Sequence, residues 1–288
     1  MLLLLACAGA GTDSGPLPYT IEDPASSTPD LTGSDAEAAI AAVFSAAYTY
    51  DANDAHAALD VVMAGADDSC PHVDSSPEGG SIWDDNCTAS TGATFDGVVA
   101  SYTVEEPYYA RSLTGEATVA LADGTTFVLA GGASTQIAEG REWVSAIEGV
   151  VRYSGADAAS WMSEGVDVNF GFSALVGDEA TVETATLDGT VAAFGDDVVT
   201  AVSFDSFVAS SASDFPCASE PAGGLAVRDA AGVWVDVVFD VTADDTGYTI
   251  ADSSTCDGCG QLWYDGESLG DVCVDLSPLL GVSPPVWP

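Results

Sequence analysis

The sequence predicts a mainly β protein: a large antiparallel meander preceded by an α-helical hairpin. Three observations carry this. Apolar residues alternate with polar ones over long stretches after residue 94. Asp-Gly pairs sit between such stretches, and a different period, three to four residues, is confined to the N-terminal quarter.

The elements follow in order. Residues 8–33 are rich in Gly, Ala, Ser, Thr and Asp and contain Pro16, Pro18, Pro24 and Pro29, the composition of a stiffened tether. Ser34 and Glu37 match the S-x-x-E capping box, which opens a helix by satisfying backbone N–H groups in both directions. Ile40, Val43, Phe44 and Ala47 continue as one apolar stripe. A second helix is expected from Asp54 to Ala64, with Ala55, Leu59, Val62 and Met63 on one face and Gly65 as the stop. The two helices read as an α-hairpin over residues 34–68.

From Thr94 the period becomes two. Val166, Val168, Phe170 and Phe172 share a face, as do Val233, Val235, Val237 and Phe239, and also Val198, Thr200, Val202 and Phe204. Asp123-Gly124, Asp188-Gly189 and Asp265-Gly266 are expected to turn hairpins, because Asp-Gly readily takes the positive φ angles such turns need. About ten strands at spacings of about 8–12 residues make residues 69–288 an antiparallel β domain. It could close as a barrel, split as a sandwich or stay an open curved sheet; the pattern is compatible with all three.

Composition sets the partners. The chain has 288 residues, 46 of them acidic, with four arginines, no lysine and a net charge of −42. Such a surface repels nucleic-acid phosphates and anionic headgroups. Hydrophobic residues make up 47%, which excludes a solvated coil. No segment after the N-terminus is apolar for long enough to form a membrane-spanning helix.

The N-terminal run Met1-Leu-Leu-Leu-Leu5-Ala6-Cys7 resembles a bacterial lipobox. The resemblance implies cleavage before Cys7, acylation of Cys7, and a membrane partner reached through acyl chains. Residues 1–6 would then be the end of a signal, and 7–33 the acylated cysteine with its tether. Ala8, in the sorting position, favours the outer membrane. Setting Cys7 aside leaves Cys70, Cys87, Cys217, Cys256, Cys259 and Cys273, an even set that suggests three disulfides in an exported protein. Six cysteines permit fifteen pairings. Proximity favours Cys70 with Cys87. A three-residue turn centred on Gly266 would place Cys259 opposite Cys273, and Cys217 would then take Cys256. The stretches Cys70-Pro71…Asn86-Cys87-Thr88 and Cys256-Asp-Gly-Cys259-Gly260…Cys273-Val-Asp275 resemble uncharacterised cysteine-bonded envelope lipoproteins of myxobacteria-like bacteria, over about two thirds of the chain. That likeness implies structural cysteines and no activity.

Residues that carry chemistry are few. His56, on the second helix, and His72, in the Cys70–Cys87 loop, are the two histidines, both expected at the surface. No G-x-S-x-G and no H-E-x-x-H is present. Cys256-Asp-Gly-Cys259 precedes a strand-like run rather than a helix, which disfavours a redox dithiol, and it lacks a second C-x-x-C for zinc. Carboxylate pairs of the glycosidase kind carry no information among 46 acids. Asp244-Asp245 lacks the spacing of a calcium loop, so Ca²⁺ is a weak expectation and no other cofactor is expected. Trp83, Trp143, Trp161, Trp234 and Trp263 read as core anchors; a surface cluster of them would instead point to sugar or ligand binding. Three functions compete: a non-enzymatic envelope lipoprotein with a structural or binding role, favoured here; a lipid or hydrophobic-ligand carrier; and an unrecognised hydrolase.

Overall fold

A computed structural model describes residues 28–75, 80–104, 109–138, 141–163, 166–178, 180–244 and 247–283. The lipobox, Cys7 and most of the tether lie outside them. Two helices, α1 (Gly33–Ala46) and α2 (Ala52–Met63), precede the strands β1 (Val73–Ser75), β2 (Gly80–Thr88), β3 (Thr94–Val104), β4 (Tyr109–Ala120), β5 (Thr126–Ala138) and β6 (Glu142–Tyr153). After a one-turn helix, α3 (Ser160–Ser163), come β7 (Asp167–Val176), β8 (Val182–Ala192), β9 (Val199–Ser210), β10 (Ala222–Asp229) and β11 (Trp234–Val238). A small hairpin of β12 (Val241–Asp244) and β13 (Gly247–Ile250) leads to β14 (Cys259–Tyr264) and β15 (Glu267–Cys273). Thirteen of these strands form one open antiparallel meander, in chain order from β1 to β11 and then β14 and β15, with β12 and β13 paired apart. The fold is thus the open sheet among the three expected forms, with fifteen strands among the described residues where about ten were expected.

One face of the sheet holds the core. α2 packs on β4, β5 and β6, and α1 on β9 and β15. Phe44 of α1 lies 6.0 Å from Phe204 and 5.5 Å from Phe207, ring centre to ring centre. Phe170 stands 5.8 Å from Phe204, and Tyr48 meets Phe172 edge-on at 5.1 Å. Phe44, Phe170, Phe172, Phe204 and Phe207 are all buried, so aromatic rings fill the interior at van der Waals contact.

The helix starts differ from the expected ones in an informative way. Thr32, not Ser34, caps α1: its hydroxyl accepts from Asp35 N–H while the Asp35 carboxylate accepts from Thr32 N–H at 2.8 Å. Glu37 is left free of that box, and its Oε1 accepts the N–H of Cys273 on the edge strand β15 at 2.7 Å. Gly33 sits so close to β15 that a Cβ would stand 2.1 Å from the Asp271 carbonyl. The start of α1 therefore covers one sheet edge, which would otherwise invite pairing with another chain. At the other edge, β1 is only three residues long. α2 begins two residues earlier than expected, because Asp51 caps it by accepting from Asn53 N–H.

A row of glycines crosses the sheet. Gly115, Gly131 and Gly149 are neighbours in register across β4, β5 and β6, and all three have positive φ. At Gly131, with φ of +141°, a Cβ would fall 2.0 Å from the Glu148 carbonyl oxygen. Only a residue without Cβ permits this close strand approach, and the row crosses the strands on which α2 packs.

Two of the three Asp-Gly pairs turn hairpins: Asp123-Gly124 between β4 and β5, and Asp265-Gly266 between β14 and β15. Asp188-Gly189 does not. It lies inside β8, where the register slips against β9 and the Asp188 carboxylate accepts from Ser206 N–H at 2.6 Å. The same positive φ that suits a turn here makes a bulge. The alternation expected for Val198–Phe204 is also corrected: Val198 is 40% exposed ahead of the strand, whereas Val199, Val202 and Phe204 are buried.

Candidate functional site

All three expected disulfides are present. Cys70–Cys87 ties the chain before β1 to β2; Cys217–Cys256 ties the loop after β9 to the approach to β14; Cys259–Cys273 bridges β14 and β15. The register that aligns the last pair arises otherwise than expected. The turn holds two residues, Asp265 and Gly266, both at positive φ, and a bulge at Leu262–Trp263 adds the missing residue. Cys256 and Cys259 bond to different partners, so the C-x-x-C is neither a dithiol nor a pair of metal ligands. Among the described residues no group of three His, Cys, Asp or Glu side chains is placed to hold a metal ion; Asp245 lies outside them.

The histidines separate. His72 is exposed, 3.4 Å from the Asp74 carboxylate. His56 is only 2% exposed, a correction to the surface position expected of it, because its place on α2 faces the sheet. Its pKa is lowered to about 4, by burial first and the nearby Arg111 guanidinium second, against a hydrogen bond to the Ala133 carbonyl that raises it. Around the start of α2, Ser145 accepts from Ala52 N–H at 2.9 Å and also bonds Asp51, whose pKa burial raises. Asp54, likewise raised by burial, accepts from the Trp161 indole N–H at 2.9 Å. Serine, histidine and carboxylate thus share one region, but His56 Nε2 has no hydrogen-bond partner among the described residues, and Ser145 is committed to the helix cap. A triad needs its base bonded to its nucleophile, and this arrangement lacks that link.

The opposite, outer face of the sheet holds a different group. Register places Asp167 beside Ala192, Ala192 beside Ala201, Ala201 beside Arg228, and Arg228 beside Trp234, one lateral row across β7 to β11. The next row runs Asn169, Thr190, Ser203, Ala226, Asp236 and Trp263. Residues directly opposite in antiparallel strands point to the same face with Cβ atoms about 5 Å apart. Small alanines leave a depression between the larger side chains. The result is a cavity of about 140 Å³ lined by Asp167, Asn169, Thr190, Arg228 and Trp234 over Ala192 and Ala201.

The surrounding fold fixes these side chains. Buried Asp229 accepts from Val233 N–H at 2.8 Å and from Asp30 N–H at 3.1 Å, which pins the turn between Arg228 and Trp234. Arg152 donates to Asp167 at 2.6 Å and to the Val166 carbonyl at 3.0 Å. Thr190 and Ser203 hydroxyls share a hydrogen bond of 3.0 Å. Arg228 is different from the other arginines. Arg111, Arg141 and Arg152 pair with Asp60, Asp178 and Asp167, while Arg228 has no carboxylate partner among the described residues. Its Nε is sealed from solvent with no hydrogen-bond partner. Trp234 and Trp263, expected as core anchors, stand half-buried on this outer face; Trp83 and Trp161 do serve the core.

Nothing in the sequence singled out Arg228, Asn169 or Thr190. The available signal was the scarcity of arginine among 46 acids; which arginine lacks a counter-charge depends on strand register. Comparison with protein-family models, curated proteins and solved structures gave no match.

Proposed function

We propose that the chain is a non-enzymatic protein of the bacterial cell envelope, held at the outer membrane by acyl chains on Cys7, that acts by binding rather than catalysis. The observation that carries this reading is the use of cysteine. Of seven cysteines, six form three disulfides, which suggests an oxidising extracytoplasmic location, and the single cysteine left over is the one in the lipobox-like run. Two or more acyl chains anchor a protein stably without help from its surface, which suits a body of net charge −42. The aromatic packing of Phe44 on Phe204 and Phe207 supports a structural or binding role over carriage of a lipid inside the sheet. The unlinked His56 and Ser145 support the non-enzymatic reading over a hydrolase.

Intact mass of the protein extracted from its own host's membranes, before and after reduction and alkylation, tests this. The expected result is a chain beginning at Cys7 with added acyl mass, and six thiols that react only after reduction. An unprocessed chain with freely alkylated cysteines would overturn it.

A further inference from the structure

We propose that the outer-face cavity at Arg228 and Trp234 binds a carboxylate-bearing sugar, a single uronate unit of an otherwise neutral glycan, since a net charge of −42 repels a polyanion. This rests on the reading of the protein as an envelope binding module.

The argument begins with Arg228. In a chain with 46 acidic residues and four arginines, a guanidinium without a carboxylate partner is unexpected, and a buried N–H without an acceptor is costly. The Nε is sealed from solvent and out of a ligand's reach, but the two terminal nitrogens are not sealed and have no hydrogen-bond partner among the described residues, so they can take an acceptor that a ligand supplies. The planar fork of a guanidinium matches a carboxylate, which takes two parallel N–H donors. The Arg152–Asp167 pair stands at the other end of the same row, three strands from Arg228, so the Asp167 carboxylate in the lining already has its own counter-charge.

The remaining lining specifies what carries the carboxylate. Trp234 lies directly opposite Arg228 and offers an indole plate beside the guanidinium. Asn169, whose amide has no hydrogen-bond partner among the described residues, and the Thr190 hydroxyl lie across the cavity, suited to ring hydroxyls. Trp263, opposite Asp236 in the neighbouring row, stands diagonal to Trp234 and extends the aromatic strip away from the cavity. Separate donors and acceptors around an apolar plate are the requirements of a pyranose ring, and the second tryptophan gives a continuing chain somewhere to lie. An acidic peptide is the less favoured occupant. The strands β8, β9 and β10, which floor the cavity, are each paired on both sides there, so they offer an extended peptide no backbone edge.

The test titrates the disulfide-bonded protein with glucuronate, glucose and acetate, read by tryptophan fluorescence and calorimetry. Glucuronate should bind with a Kd of about a millimolar, as expected for one small sugar, and glucose and acetate about tenfold more weakly or not at all. Arg228→Gln should weaken glucuronate binding about tenfold or more, the cost of a lost charge-assisted pair. Arg228→Lys, which keeps the charge and loses the fork, should also weaken it, as should Trp234→Ala. Arg141→Gln, on a distant exposed arginine, should leave affinity unchanged. Acetate binding as well as glucuronate would overturn the sugar assignment, and so would an acidic peptide binding more tightly. No binding by protein whose three disulfides are intact would overturn the site, whereas failure of the envelope reading shows separately in the mass at Cys7. Circular dichroism of each variant separates loss of fold from loss of contact.

Discussion

The buried histidine makes stability fall on mild acidification, by an amount the structure sets. In the unfolded chain His56 takes up its proton near the ordinary value of 6.5; in the folded chain it does so only at about 4. Between those values the unfolded state binds more protons, so lowering the pH favours unfolding. The full difference is about 3 kcal/mol, at about 1.4 kcal/mol per pH unit, and about 2 kcal/mol of it is lost between about pH 7.5 and about pH 5. Other groups oppose this trend. Burial raises the pKa of Asp51 and Asp54, so the folded state takes up their protons first and gains on acidification. Partial neutralisation of the −42 charge also relieves repulsion. The clean quantity is therefore the wild-type stability minus that of His56→Leu, from urea unfolding at each pH. It should fall by about 2 kcal/mol across that window as the pH is lowered. If it instead stays flat to within about 0.5 kcal/mol, His56 is not held neutral by burial, and its placement between α2 and the sheet is refuted.

Two further perturbations address the sheet and its staples. Gly131→Ala should destabilise by more than Gly124→Ala in thermal or urea unfolding. Both residues have positive φ, which costs about 1–3 kcal/mol for a residue with a Cβ, but the Gly124 site is open whereas at Gly131 the new Cβ meets the Glu148 carbonyl. Equal losses would contradict the close strand approach at the glycine row. Replacing Cys70 and Cys87 together by serine should cost about 3 kcal/mol, the entropy of opening a loop of this size, and peptide mapping of the variant should leave the Cys217–Cys256 and Cys259–Cys273 pairs unchanged.

Much of the fold was legible because it depends on local chemistry. The alternation in Val166–Phe172 and in Val233–Phe239 places buried side chains at every second residue, and the structure buries those residues. Asp265-Gly266 turns its hairpin because both residues accept positive φ, and that turn together with the bulge at Leu262–Trp263 sets Cys259 against Cys273. Even so, the expected register came out right through two offsetting differences, a shorter turn and a bulge. The capping box was displaced by two residues because Thr32 and Asp35 offer the same hydrogen bonds as Ser34 and Glu37. Choosing between them required knowing that the Glu37 carboxylate is needed at the edge of β15.

By itself the sequence determined the class, the order of helices before strands and the antiparallel meander, since each follows from backbone propensities or side-chain period; it favoured one of fifteen disulfide pairings, which the structure then fixed. Tertiary structure alone decided that Asp188-Gly189 is a bulge and not a turn, that His56 is buried, that the sheet stays open with α1 against its last strand, and that Arg228 is left without a carboxylate beside Trp234. The reason is common to all four. Each depends on which residues meet across strands and helices far apart in sequence, and a shift of one residue in any intervening register sends the side chain to the other face of the sheet.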